Sequence, residues 1–331
     1  MIQRAAETQT GGTDTAPKWF NSPVTFHQGT LSEVFSYIPE FERRAFALAQ
    51  PGNEISRLNG RLDTIVRLPF RDDQTYVPVG VVSKDYALVP HRAVLDVAAR
   101  ALDDAKIALD QVKAEVTITE YGERMSLSLY LPEKYIFDPG DGHPMALRLE
   151  CFNSVDGSTR FRALVGWFRF VCSNGLVIGV TRSDLRRRHV GDLSLDDVGL
   201  VLSAGINESA NERGNFERWR KTSVTPEKLA TWVDKDLKEG WGFKAAARTY
   251  HIAQTGFDAD VVGPYKGSVP STIPMRQSQR VPGMPNRSEN LFNVSQILAW
   301  LAKERRDLQE QLDWKEQVTG LLKPLMSGNL S

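Results

Sequence analysis

Residues 151–192 read CFNSVDGSTRFRALVGWFRFVCSNGLVIGVTRSDLRRRHVGD, and the fold turns on how this run alternates. Ala146 to Ser154 and Arg160 to Val171 have the period of strands, and Asp156-Gly157 supplies the turn between them. The second strand sets Phe161, Ala163, Val165, Trp167, Arg169 and Val171 against Arg160, Arg162, Leu164, Gly166, Phe168 and Phe170. Neither set is purely apolar, so one side is expected to cover a core while parts of the other present arginine and aromatic groups. Asn174-Gly175 signals a type I′ turn, with Leu176 to Val180 as a further short strand.

Working outward, Val116 to Thr119 and Met125 to Leu131 read as a hairpin around Gly122. Leu62 to Leu68 and Val77 to Val82 read as two strands about the polar turn Arg71-Asp72-Asp73-Gln74. Between these pairs, Val94, Leu95, Val97, Ala98, Ala101 and Leu102 give an amphipathic helix over about 92–109. Leu31, Val34, Phe35 and Ile38 predict a short helix capped by Thr30, and the apolar set at Phe41, Ala45, Phe46 and Leu48 predicts another. Strands grouped this way, without βα alternation, indicate an α+β fold. The expectation is a curved antiparallel sheet with a packed helix, followed by a helical C-terminal part.

The resulting organisation is a disordered N-terminal arm over 1–21, pinned by Trp19 and Phe20, and an α+β core domain over 22–200. A helical extension follows over 201–255, with helices at 196–209, at 226–237 behind the Thr225 cap and Pro226, and at 241–253. Residues 256–287, rich in Gly and Pro, are expected as a flexible loop or linker. A long C-terminal helix is expected over 288–326, its stripe packing on the parent domain or mediating self-association.

Across 331 residues, 41 Lys and Arg balance 41 Asp and Glu, so the formal net charge is zero. Within that balance, Gly157 to Asp192 holds seven arginines and two acids. Arginine forks pair with phosphate oxygens, and an aromatic ring offers a face on which an unpaired base stacks. Candidate nucleic-acid contacts are therefore Arg160, Arg162, Arg169, Arg186, Arg187, Arg188 and His189, with Trp167 as a stacking group. Lys84, where a strand end feeds a helix, is a further phosphate contact. The competing reading pairs these arginines with acids such as Asp184, Asp192, Asp196 and Asp197 and places the aromatics in the core. Asn153, Ser154, Asp156 and Ser158 have the composition of a hairpin turn.

No catalytic constellation stands out. The five histidines are scattered, with no metal-binding spacing and neither phosphate-loop nor dinucleotide-loop glycine patterns. No metal or cofactor is expected, and the two cysteines, Cys151 and Cys172, read as reduced core thiols. No apolar run approaches the roughly 20 residues needed to cross a bilayer, and the N-terminus lacks a signal-peptide core. A cytoplasmic protein without membrane contacts is expected.

The segments VSKDYALVPHRAVLDV (82–97), NSVDGST (153–159), FVCSNGLVIG (170–179), RRRHVG (186–191) and SENLFNVSQILAWLA (288–302), together with Arg162, resemble the phage- and plasmid-associated family called domain of unknown function 932. The resemblance covers most of residues 60–302. It implies a mobile genetic element and a role in DNA transactions, since family members sit near recombination and replication genes. The element order is also similar, at fold level, to phage single-strand annealing proteins, a likeness that by itself assigns no function. The expected function is non-enzymatic binding of single-stranded DNA in recombination or replication, with homo-oligomerisation adding avidity. Two alternatives remain at this point: a protein-binding module acting on a host or phage defence complex, and a metal-dependent nuclease using dispersed carboxylates.

Overall fold

The computed structural model describes residues 18–19, 22–48, 52, 57–169, 174–176, 195–211, 213–263, 267–270 and 273–326. Strands β1 (Lys18–Trp19) and β2 (Ser22–Thr30) lead into helix α1 (Leu31–Phe35). Thr30 accepts from the Glu33 amide while the Glu33 carboxylate accepts from the Thr30 amide, a reciprocal cap that fixes where the strand ends. Strands β3 (Phe41–Ala45), β4 (Leu62–Arg67) and β5 (Val77–Ser83) form a small antiparallel sheet of their own. Helix α2 (His91–Asp104) follows, then β6 (Lys113–Thr119), β7 (Arg124–Tyr130), β8 (Ile136–Phe137), β9 (Met145–Ser154), β10 (Arg162–Arg169) and β11 (Asn174–Leu176).

The main sheet has eight strands in the order β1-β2-β6-β7-β9-β10-β11, with β8 also paired to β9, and every pairing is antiparallel. Strand parity divides its residues. Met125, Leu127, Leu129, Leu147, Leu149, Cys151, Ala163, Val165 and Trp167 lie on the inner side and are buried in the principal apolar core. Helix α2 packs there through Val94, Leu95, Ala98 and Leu102. Helix α3 (Leu195–Asn211) comes close to β10 because Gly205 lacks a side chain; a Cβ there would stand 3.0 Å from Val165 Cγ2.

Helices α4 (Arg213–Lys221), α5 (Pro226–Trp232) and α6 (Lys238–Thr255) continue the same core, with a π-helical turn at Val233–Leu237 between the last two. Thr225 caps α5 as expected, accepting from the Lys228 amide. A hairpin of β12 (Phe257–Val261) and β13 (Met275–Arg280) precedes α7 (Leu291–Lys303) and α8 (Leu308–Met326). The fold is α+β, with open antiparallel sheets and a helical C-terminal part.

Several local expectations are corrected. Phe41 to Leu48 is not helical: Phe41–Ala45 pairs with β4, and Leu48 is exposed, so its apolar spacing never served a buried face. Asn174-Gly175 lies in β11, opposite Arg169 and Phe168, and is not the hairpin turn. Residues 256–287 carry the β12–β13 hairpin where a linker was expected. The long terminal helix is two helices, because Asp307 accepts from the Gln309 and Glu310 amides and starts α8 afresh. The expected boundary at residue 200 falls inside α3. Of the N-terminal arm, Trp19 is fully buried against Phe152, Leu164 and Leu312, whereas residues 1–17, 20 and 21 lie outside the described residues.

Candidate nucleic-acid interface

Strand β10 sends alternate residues to opposite sides of the sheet, and this separates the sequence-predicted site residues. Trp167 faces inward, 0% exposed, with the Phe137 ring 4.7 Å and the Phe216 ring 6.1 Å from its own. Both rings meet it edge-on, so the expected stacking face for a base is covered by core. Arg169, two residues on, shares that side and is also 0% exposed, bonded to Asp141 at 2.5 Å and stacked over Phe292. Arg162 points outward but lies beneath α8, where Asp313 binds it at 2.5 Å and Glu316 stands at 3.8 Å. These three side chains do not form one surface. Their parity was readable in the sequence, but the acids that neutralise two of them come from distant segments.

Arg186, Arg187, Arg188 and His189 lie outside the described residues, as do the Val177 to Val180 portion of the expected strand and Cys172. Cys151 is buried, and burial pushes its thiol up to about 12. Two candidates, Arg160 and Lys84, are exposed.

The motif residues around these two form a structural hub. Asn153 Nδ2 donates to the Val89 carbonyl and to His91 Nδ1, each at 2.9 Å, and His91 Nε2 donates to the Gly122 carbonyl at 2.8 Å. That arrangement requires a neutral His91 protonated on Nε2. Ser154 Oγ donates to the Thr159 carbonyl and accepts from its amide, closing the turn around Gly157, whose φ of 77° favours glycine. Arg124 clamps the turn through Asp156 at 2.9 Å and Ser158 at 2.7 Å. Tyr86 donates to the Ser154 carbonyl at 3.1 Å, and burial pushes its hydroxyl well above the usual range. Asn153→Ala is expected to cost about 1–3 kcal/mol in urea unfolding, because it strands the Val89 carbonyl and His91 Nδ1 in the core.

The same turn seats the small sheet. A Cβ on Gly80 would lie 2.7 Å from Asp156 Cα, so only glycine lets β5 settle on the β9–β10 turn. Beneath the small sheet, Phe41, Ile65, Val82, Tyr86 and Val155 make a separate apolar cluster. At one end of this sheet β3 stops, β4 starts and β5 stops, which gathers Arg43, Arg61 and Lys84, with the exposed Arg57 four residues before Arg61. Asp63 lies under them, buried, at 2.8 Å from Lys84 Nζ and 3.6 Å from Arg43 Nη1. Arg43 also donates to the carbonyls of Lys84 and Tyr86, fixing the strand end. Among the described residues there, four exposed cations accompany Asp63 and the exposed Asp85. Sequence reasoning found only Lys84 of this group; the others are spread over residues 43–61 and converge through strand pairing.

Among the described residues no three His, Cys, Asp or Glu gather as metal ligands, and no helix is long and apolar enough to cross a membrane. No solved structure matches the chain significantly. A family model described as "Domain of unknown function (DUF932)" matches residues 78–267, a span that includes all but the first residue of β5, the Asn153–His91 hub and most of the main sheet. With more than half of its length matched, the chain belongs to the DUF932 family.

Proposed function

We propose that this protein is a non-enzymatic nucleic-acid-binding protein of a mobile genetic element that engages single-stranded DNA in recombination or replication. The observation that carries the reading is the cationic end of the small sheet, where Lys84 and Arg43 pair with a buried Asp63 and the exposed Arg61 and Arg57 lie on the chain leading into β4. Exposed guanidinium and ammonium groups held on strand ends suit phosphate contacts, and a β-sheet reader is an established geometry for them. Arg160 extends from the turn on which this sheet rests, and the sequence adds Arg186, Arg187, Arg188 and His189 beyond the described residues. The mobile-element setting rests on the sequence resemblance.

Four phosphate contacts to a single strand give a slope of about −3 in log affinity against log salt, or roughly a 50-fold loss between about 50 and 200 mM. Arg61→Ala with Lys84→Ala is expected to weaken binding at low salt and to reduce that slope by about one to one and a half. A triple Arg186, Arg187, Arg188→Ala variant tests the second group in the same way. Fluorescence anisotropy with single- and double-stranded oligonucleotides at two ionic strengths reads all of this. Absence of single-strand binding, or affinity indifferent to salt and to both variants, would remove the proposal.

A further inference from the structure

At the far end of the small sheet three groups from separate segments form a column. His27 of β2 stacks on Tyr37, just beyond α1, with ring centroids 3.8 Å apart and planes 18° from parallel. Arg71, in the turn between β4 and β5, places its guanidinium 3.9 Å from the centre of the same Tyr37 ring. At such distances the two neighbours occupy opposite faces of the tyrosine. The order is therefore imidazole, phenol, guanidinium, with the exposed Arg71 last and the Phe70 ring centre 5.6 Å from its guanidinium carbon.

Arg71 differs from two of the other stacked arginines, Arg44 and Arg92. Arg44, over Tyr76, is tied to Glu42, and Arg92, over Phe35, is tied to Glu40. Arg71 has no carboxylate partner among the described residues; its one side-chain hydrogen bond, at 3.4 Å, is to the Ser36 carbonyl. The neighbouring Asp73 is engaged by Arg67 and by the Thr75 hydroxyl and amide, which hold its carboxyl down to about 2. Arg71 is exposed and has a φ of 52°, in the left-handed region that is strained for a non-glycine residue. Glycine would serve the turn better, so the side chain itself is the reason to look for a use. Partial burial and the nearby Arg71 charge lower the His27 pKa, which keeps the base of the column uncharged at neutral pH.

We propose that this column is a stacking platform for an unpaired nucleobase, which lies on the outer face of the Arg71 guanidinium while the remaining N–H donors take the adjoining phosphate. The assignment rests on the nucleic-acid reading above and sharpens it to a single-strand contact. A duplex keeps its bases stacked on one another and offers only backbone, whereas a single strand has a π-face to give. The platform and the cationic end are separated by the length of β4, six residues or roughly 17 Å, which one extended strand of nucleic acid spans.

The test uses the full chain and an oligothymidylate carrying one fluorescent purine analogue whose emission is quenched by stacking. Wild-type protein is expected to quench it on binding. Arg71→Gly, which relieves the positive φ and so keeps the fold, is expected to abolish the quench and weaken single-strand affinity about tenfold, with duplex affinity little changed. Arg71→Lys keeps the charge without the planar face; it is expected to lose the quench but retain the salt slope. If both variants quench and bind as the wild type does, while the Arg61→Ala and Lys84→Ala protein loses affinity, the platform is overturned and the wider reading stands. If the wild type binds no oligonucleotide, both fall.

Discussion

Arg169→Ala should destabilise the protein by roughly 3–5 kcal/mol, the range for breaking a buried charge pair by removing one partner. Arg169 is fully enclosed and its guanidinium joins three parts of the molecule: Asp141 of the loop before β9, the Gly283 carbonyl at 3.4 Å beyond β13, and the Phe292 ring of α7 at 5.6 Å. Alanine leaves the Asp141 carboxylate without its cation and opens a void beside Phe292. The site has an internal weakness: Nε and Nη1 of Arg169 are buried without a protein acceptor. Arg169→Met, which fills similar volume with no donors, is therefore expected to lose less than alanine does. Arg160→Ala, on an exposed turn of the same hairpin, should stay within about 0.5 kcal/mol of wild type. Urea denaturation gives all three, with the midpoint moving and the slope unchanged. Equal midpoints for Arg169→Ala and Arg160→Ala would mean that β10 is not in this register.

That contrast shows what the sequence carries and what it leaves out. The alternation of β10 was legible, including the placement of Arg169 on the side of Ala163, Val165 and Trp167; what was illegible was which layer covers each side. The cover of Arg162 is Asp313, 151 positions away on α8, and no local pattern connects them. The central strands were readable because a buried face imposes a period of two on the residues that line it. Strand β3 was not, since only Phe41 of it reaches a core, Glu42 is half-buried and the rest is exposed, leaving the strand's alternation unenforced. The break between α7 and α8 did have a signal, Asp307 followed three residues later by Glu310, overshadowed by a continuous leucine stripe. Helix α4 likewise had one, the buried Phe216 and Trp219 at helical spacing. The Arg71 column draws on residues 27, 37 and 71, brought together only by the way the small sheet docks on β2 and α1.

The outer side of the main sheet yields the second large effect, a rise in stability with pH set by Lys315. Helix α8 crosses that side on a narrow apolar contact, Leu312 against Trp19, Phe152 and Leu164, flanked by charge. Lys315 Nζ stands 3.6 Å from Glu150 Oε1, yet that oxygen already binds Arg148, whose guanidinium also meets the Tyr130 hydroxyl, itself bonded to Glu115. Arg162, with Asp313 and Glu316, occupies the adjoining strand. One carboxylate thus serves two cations, and burial together with repulsion from Arg148 brings Lys315 down to about 7. The unfolded chain keeps that proton to near 10.5. Between those values the unfolded state binds the extra proton, so stability climbs as pH rises, by up to about 1.4 kcal/mol per unit. From about pH 7 to about pH 9 the gain is on the order of 2–3 kcal/mol. Lys315→Met keeps the length of the side chain, leaves the Arg148–Glu150 pair intact and removes this dependence. The variant should be more stable than wild type near pH 6, with the advantage shrinking towards pH 9. Unfolding profiles of the two proteins that run parallel across that interval would show that α8 does not hold Lys315 against the sheet in this way.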